Sequence, residues 1–241
     1  MGSEATKYRC VQCGHGIGTL FVQYSPGNIR LMKCERCKSV ADEYIECELM
    51  ILLIDLILHK TKAYRHLLYN VLLQETVDCE DDFGNAEQGL LWKSALGFLA
   101  LDAYRCLILA EAEGGGLPSF TWICRKIFAD VFVGNFILFS VFIVGVRSSL
   151  TIQAELSRWK DLMLVILISS YWKIFLFAMM IWEFPSSVVF IVDAFVLSSN
   201  AIALKVITDS TTKRCIMGCF AAHAAKFLAT QLWKWCCSRV V

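Results

Sequence analysis

Four cysteines near the N-terminus have a spacing that is typical of a metal site. Cys10 and Cys13 form one CxxC pair, Cys34 and Cys37 form a second, and 20 residues separate the pairs. Each pair presents two thiolates from a tight turn, and four thiolates are the closed, tetrahedral ligand set of a structural zinc ion. The spacing therefore predicts a structural Zn²⁺ at these four residues, with no open coordination position for catalysis.

Other chemistry at these cysteines fits the sequence less well. A pair of reactive dithiols of the thioredoxin type would need a βαβ pattern, which the surrounding residues lack. His15 is a further potential ligand, but four thiolates complete the set, so we expect a surface histidine. The first residues are polar and lack the apolar core of a secretory signal peptide, which favours reduced thiols over disulfides and a cytosolic domain.

A small zinc domain can also bind nucleic acid, but this requires a basic face. Basic side chains in residues 1–48 are balanced by acidic ones, and the whole chain has a net charge of +1. We therefore predict no nucleic-acid partner. The residues in question are Lys7, Arg9, Arg30, Lys33, Arg36 and Lys38 against Glu4, Glu35, Asp42, Glu43, Glu46 and Glu48.

The elements that position this site are two short strands and a helical segment. Residues 20–24 and 29–32 read as strands joined by a Pro26-Gly27-Asn28 turn. As one helix, residues 49–73 would be amphipathic, with apolar side chains opposite a polar face. Such a helix either packs on the zinc domain or lies at a membrane surface. The polar face would comprise Glu48, Asp55, His59, Lys62 and His66.

The rest of the chain has the composition of a membrane protein. Hydrophobic residues make up 57% of the chain and charged residues 19%, against about 45–50% and about 25% in soluble domains, and this excludes disorder. Four stretches approach the roughly 20 apolar residues that a membrane-spanning helix needs. These predicted spans are residues 128–146, 162–182, 186–207 and 215–235.

A fifth stretch, residues 90–110, carries Lys93, Asp102 and Arg105, which makes it a poor span. We expect it to be interfacial or packed against the other helices. Polar residues inside the predicted spans need partners in the bundle or a wet cavity, and they either join helices together or form a path for a polar head group or ion. These residues are Asp130, Lys173, Asp193, Asn200 and His223.

Several segments resemble the Arv family. The two CxxC pairs are followed by VADEYIE (40–46) and by IDLILHKTKAYRHLLYN (54–70), of which AYRHLLYN is the most specific part. The membrane part is similar to the family at residues 167–184 and 194–200. The four metal cysteines of the family correspond to Cys10, Cys13, Cys34 and Cys37 without substitution, whereas the acidic residues 74–89 are particular to this chain.

The resemblance implies a protein of the endoplasmic-reticulum membrane that supports sterol uptake, trafficking and distribution. It also implies links to sphingolipid metabolism and to the synthesis of glycosylphosphatidylinositol anchors. Two alternatives are a scaffold for a lipid- or anchor-synthesising enzyme complex and a lipid-modifying enzyme using Asp193, Lys173 or His223. Because no GxSxG, HExxH, P-loop or GxGxxG motif occurs, we predict no enzymatic activity.

We therefore predict a mainly α-helical polytopic membrane protein with a small four-cysteine zinc ribbon, an amphipathic helix and about four transmembrane helices. The predicted divisions are residues 1–48, 49–73, an acidic linker at 74–89 and a membrane domain at 90–241. No sequence feature indicates an oligomeric state. Residues expected to contact lipid or a partner are Asp55, His59, Tyr64, Arg65, His66, Lys173 and Asp193, and candidates for lipidation are Gly2, Cys236 and Cys237.

Overall fold

A computed structural model describes residues 8–72, 83–113, 124–125, 127–149, 158–182 and 184–238. The chain forms two compact units, Met1–Leu90 and Leu91–Val241. Gly2 and most of the predicted acidic linker lie outside the described residues. The last seven residues of the predicted linker, 83–89, are helical.

The first unit begins with two small antiparallel sheets. Strands β1 (Tyr8–Arg9) and β2 (Gly16–Ile17) pair around the first CxxC, and β3 (Phe21–Ser25) pairs with β4 (Asn28–Leu31). Gly27 has a φ of 82°, which a side chain would disfavour, so the turn between β3 and β4 depends on glycine. The two strands predicted from sequence are confirmed to within one residue.

The segment after the sheets is broken, and the prediction of one continuous helix over residues 49–73 is wrong. Helix α1 (Leu49–Ile57) ends at a Schellman motif, and α2 (Thr61–Arg65) continues into a π-helical segment, His66–Leu72. His59 takes the left-handed conformation, with a φ of 57°, and the Lys60 N–H donates to the Asp55 carbonyl at 2.9 Å. Glycine usually occupies that position, so the residue type gave no signal of the break.

The second unit is helical, and so is most of the chain that the structure describes. Its helices begin with α3 (Phe83–Glu113), which starts in the first unit, and α4 (Gly134–Ser149), which follows a π-helical segment, Phe128–Val133. Next come α5 (Arg158–Ser169), a 3-10 segment (Ser170–Ile174) and α6 (Phe175–Ile181). The last two helices, α7 (Val188–Thr208) and α8 (Thr212–Ser238), are separated by Asp209, which has a φ of 48°.

Within the described residues, three segments are long and apolar enough to cross a membrane: Asp161–Ala178, Val188–Thr208 and Thr212–Trp233. They coincide with three of the four predicted spans. The fourth predicted span, 128–146, corresponds to a shorter apolar helix, Val131–Gly145, which falls below the roughly 20 residues needed. The chain is therefore a helical membrane protein, with three candidate spans and one shorter apolar helix in the part that the structure describes.

Helices α4 and α8 approach each other closely at a glycine. A Cβ atom on Gly134 would lie 3.1 Å from Cγ2 of Thr230 and 3.3 Å from Cγ of Lys226. Small residues at such crossings let helix backbones approach, which is how helices associate in a lipid environment. On the same helix, a Cβ atom on Gly145 would meet nothing within 4 Å.

We expect Gly134→Ala to destabilise the second unit by about 1–3 kcal/mol, because the added methyl group forces α4 and α8 apart. The matched control, Gly145→Ala, should be neutral or stabilising by up to about 1 kcal/mol, since alanine is the better helix former. Thermal unfolding of the purified full chain in detergent measures both. Equal effects of the two substitutions would contradict the close crossing.

Candidate functional site

The two CxxC pairs are held by the same backbone turn. The Cys10 carbonyl accepts from the Gly14 N–H at 2.8 Å, and the Cys34 carbonyl accepts from the Lys38 N–H at 2.9 Å. Gly14 and Lys38 both have left-handed φ values, 75° and 61°. Each turn therefore points two thiol groups to one side, and the second does so with a lysine where the first has a glycine.

These turns bring the four predicted ligands together. The Sγ atoms of all four lie within 4.8 Å of one another, with 3.7 Å between Cys10 and Cys37 and 3.6 Å between Cys13 and Cys34. Zinc–sulfur bonds of about 2.3 Å in a tetrahedron would separate the sulfurs by about 3.8 Å, so the group fits a structural Zn²⁺. All four are free thiols, and His15 is exposed and outside this group.

The electrostatics of the group also suit a cation. Burial raises the pKa of the Cys10 thiol to about 12, whereas a hydrogen bond from the Ser39 backbone lowers the pKa of Cys37 to about 7. A buried thiolate is costly unless positive charge compensates it, and metal binding requires the thiolate form. Four sulfurs this close together, the metal-binding group, can hold a metal ion, and because protons compete for the thiolates, such binding should weaken as the pH falls.

A buried polar network joins the π-helical segment to the metal-binding group. Asp42 is fully buried, and its carboxylate lies 2.7 Å from Nδ1 of His66 and accepts from Nδ2 of Asn70 at 2.6 Å. The Asn70 amide also exchanges two hydrogen bonds of 2.9 Å with the backbone of Arg9, next to Cys10. The segment AYRHLLYN (63–70), which carries the most specific part of the family resemblance, thus holds strand β1 in place through Asn70.

Helix α2 is also connected to the metal-binding group, through the turn between Cys10 and Cys13. Nη1 of Arg65 donates to the carbonyls of Val11 and Gln12, at 3.0 and 2.9 Å, between the two ligands of the first pair. An arginine that donates to two successive carbonyls fixes the turn between Cys10 and Cys13, because a planar guanidinium holds both carbonyls in one geometry.

Five of the seven residues predicted to contact lipid or a partner belong to the first unit, where they contact other residues of that unit. Asp55 accepts from Lys60 at 2.7 Å and from the Tyr44 hydroxyl at 2.8 Å, and these partners lower the pKa of Asp55. Tyr64 is buried, and the ring of His59 stacks on it at 6.4 Å between centroids. With Arg65 and His66 engaged as described, lipid or partner contact by this set stays a prediction.

The surface that is open is the apolar side of α1. Leu49 is 69% exposed and Met50 62%, and further large apolar side chains follow on the same helix. The sequence left open whether the polar face or the apolar face of this segment is outward, and Asp55 of the polar face is buried, with Tyr44 and Lys60 as partners. The name α1 apolar face is used below for Leu49, Met50, Ile51, Leu53, Ile54, Ile57 and Leu58, all of which are exposed.

In the second unit, one carboxylate forms ion pairs with two lysines. Asp102 of α3 is 2% exposed and accepts from Lys173 at 2.7 Å, from Lys226 at 2.5 Å and from Nδ2 of Asn135 at 2.7 Å. Lys226 also donates to Oδ1 of Asn135 at 2.7 Å. These four residues, called the Asp102 cluster, come from α3, α4, the 3-10 segment and α8. Each charge in the cluster therefore has a partner on another element.

A second ion pair lies on the next turn of α3. Arg105 donates to both carboxylate oxygens of Asp193, through Nε at 3.0 and 3.1 Å and through Nη2 at 2.5 Å. Residues 90–110 were expected to be interfacial or packed against the other helices, and the ion pairs of Asp102 and Arg105 favour packing. Lys173 and Asp193, predicted from sequence as site residues, belong to separate but neighbouring ion pairs.

A cavity of about 450 Å³ adjoins both ion pairs. Its polar lining includes Asn200, whose Oδ1 accepts from the hydroxyls of Ser169 and Ser170 at 2.5 and 3.2 Å. Nδ2 of Asn200 and Nε2 of His223 are buried and have no hydrogen-bond partner among the described residues. Both residues lie in predicted spans, where polar groups need partners or a wet cavity, and the structure places them on this cavity.

Of the three lipidation candidates, the structure describes the side chain of one. Cys236 is exposed in the last turns of α8. Gly2 and the side chain of Cys237 lie outside what the structure describes. Lipidation of all three stays a prediction.

The fold and the two sites define a class: a helical membrane protein with several candidate spans and an N-terminal four-cysteine metal-binding domain. The Arv1-like family matches residues 9–204, and the chain belongs to that family. No solved structure is significantly similar to the chain.

Curated relatives cover almost the whole chain. Protein ARV 2 of Arabidopsis thaliana is 51% identical over 228 residues, 94% of this chain and 95% of the relative. Protein ARV 1 of the same plant is 48% identical over 232 residues, covering 95% and 90%. Protein ARV1 of Homo sapiens is 26% identical over 225 residues, covering 88% and 76%. These names carry no catalytic activity, which is compatible with a protein that is not an enzyme.

We expect Cys34→Ser to abolish zinc binding and unfold the first unit, because the metal-binding group loses a buried ligand and zinc binding supplies folding free energy. Cys47→Ser is the matched control, since Cys47 lies outside the group and its thiol donates to the Glu43 carbonyl. Metal analysis and limited proteolysis of the purified chain measure both effects. Wild-type zinc content in the Cys34 variant would contradict the ligand assignment.

We expect Asp102→Asn to destabilise the second unit by about 3–5 kcal/mol, because two lysines lose their shared counter-charge. Asp193→Asn should cost less, since Arg105 and Asp193 are more exposed, at 22% and 32% of their side chains. Thermal unfolding in detergent compares the two. A larger loss for Asp193→Asn would show that the Asp102 cluster is not the main ionic contact.

Proposed function

We propose that the protein is a non-enzymatic mediator of sterol homeostasis in the endoplasmic-reticulum membrane. In this role it would support sterol uptake and distribution to other membranes and affect sphingolipid metabolism. The resemblance to the Arv family suggests this function, and the observation that carries it is the α1 apolar face. The first unit would bind one structural zinc ion through Cys10, Cys13, Cys34 and Cys37 and would face the cytosol, where thiols stay reduced.

The α1 apolar face supports contact with a lipid surface. Burying one large apolar side chain contributes about 1.5–3 kcal/mol, so seven exposed ones form a strongly favourable contact for apolar material. Contiguous patches of this kind mark membrane or protein contacts. Among the described residues, three segments of the same chain are long and apolar enough to cross a membrane, which supports a bilayer as the apolar partner. A helix at the headgroup boundary would meet sterols, whose surface is apolar apart from one hydroxyl.

A rigid base favours this surface contact. The hydrogen bonds of Asp55 to Tyr44 and Lys60 fix the inner side of α1, and the Schellman motif fixes its end. The helix is therefore ordered before it meets a membrane, which lowers the entropic cost of binding.

The same face supports a second candidate, a scaffold for a lipid- or anchor-synthesising enzyme complex. An enzyme subunit would then cover α1 instead of lipid. A catalytic role for Lys173 and Asp193 is less favoured, because both side chains are held in ion pairs.

We expect a photoactivatable sterol to label the zinc-loaded full chain in nanodiscs, with labelling at residues 49–58 that unlabelled sterol competes. The triple change Leu49→Ser, Met50→Ser and Ile54→Ser should reduce labelling several-fold, because it removes apolar contact area at exposed positions. Mass spectrometry of the labelled peptides gives the measurement.

The control for this experiment is Tyr24→Ser, an equally exposed apolar change on β3, which should keep full labelling. Zinc content confirms that each variant is folded. Absence of competed labelling in the folded wild type would contradict direct sterol contact. Loss of a co-purifying enzyme subunit in the triple variant would support the scaffold instead.

A further inference from the structure

We propose that the cavity beside the Asp102 cluster binds the phosphodiester headgroup of an anionic membrane phospholipid. This extends lipid handling to a second ligand class at a different place in the chain. It does not depend on sterol contact at the α1 apolar face, because the probe and the residues are different.

The charge of the lining selects for an anion. Three cations, Arg105, Lys173 and Lys226, line the cavity together with two carboxylates, Asp102 and Asp193. The lining therefore carries one positive charge in excess when His223 is neutral. Charges removed from water require compensation, and a ligand with one negative charge supplies it. A metal cation would increase the imbalance.

The hydrogen-bonding capacity of the lining also favours an anionic ligand. Asn200 is 1% exposed, and because its Oδ1 accepts from two serines, its NH₂ group remains for another acceptor. Lys173 donates to Asp102 and lies over the ring of Phe98 at 3.5 Å, which leaves N–H groups that can donate elsewhere. The lining therefore offers N–H donors, and a phosphodiester offers two acceptor oxygens that share its negative charge.

The shape and the remaining lining fit a lipid. A cavity of about 450 Å³ is larger than a phosphate group needs and lies within the range of about 300–1,000 Å³ for small-molecule sites. Apolar residues, including Phe98 and Leu138, also line the cavity and can contact the glycerol and acyl chains. Phe190 of α7 and Phe227 of α8 line the cavity and are also exposed, so its mouth opens on the outer side of these helices.

The test is a titration of the purified full chain with phosphatidylglycerol and with phosphatidylcholine, followed by native mass spectrometry. We expect one tightly bound phosphatidylglycerol and at least tenfold weaker binding of phosphatidylcholine, because the choline cation cancels the charge that the lining selects. Equal affinity for both lipids would overturn the proposal. Equally effective competition by soluble glycerol phosphate would overturn its assignment to a lipid.

The decisive variant is Asn200→Asp, which keeps the shape and the acceptor for Ser169 and Ser170 but replaces the NH₂ donor by a charged oxygen. We expect at least a tenfold loss of phosphatidylglycerol affinity. The matched control is Lys205→Gln on the same helix, which also lowers the net charge by one but lies outside the lining. An equal loss in both variants, or in neither, would overturn the proposal.

Thermal unfolding of the wild type provides a measurement that does not depend on any variant. Phosphatidylglycerol added to the detergent-purified chain should raise the unfolding temperature more than phosphatidylcholine does, since a ligand stabilises the state that binds it. An equal shift with both lipids would overturn the proposal even if Asn200→Asp fails to fold.

Discussion

A carboxylate that leaves water must be compensated by positive charge, and in the second unit Asp102 meets this requirement with two lysines. The constraint determines much of the helix arrangement. Lys173 and Lys226 come from different elements, and both must reach the same two oxygens, with Asn135 filling the remaining side. The close approach of α4 to α8 at Gly134, whose nearest neighbours include Lys226, belongs to the same arrangement.

The first unit solves a similar problem with different groups. Its four thiols lie close enough together to hold a metal ion, and its buried Asp42 needs donors, which His66 and Asn70 provide. Because Asn70 and Arg65 also hold the backbone beside Cys10 and Cys13, the metal-binding group and the helical segment form one structure. The first unit therefore buries Asp42, Asp55 and His66 and leaves apolar side chains of α1 exposed.

The local features were predictable from sequence, and the pairings were not. The CxxC spacing, the Pro26-Gly27 turn and the apolar runs each depend on neighbouring residues, so the four-cysteine group, the β3–β4 hairpin and three spans could be predicted. Asp102 pairs with Lys173 and Lys226, which are 71 and 124 positions away along the chain. No local sequence pattern encodes such distant pairs. The end of α1 was missed because His59 occupies a left-handed position usually held by glycine, and the inward orientation of Asp55 depends on Tyr44.

A double-mutant cycle on Asp102 and Lys173 tests the central claim, that one carboxylate organises the helices of the second unit. The unfolding free energies of Asp102→Asn, Lys173→Met and the double variant would be measured in the same detergent. We predict strong coupling, with Lys173→Met recovering part of the stability that Asp102→Asn removes, because it takes away a buried, uncompensated charge. Additive effects of the two substitutions would contradict the account.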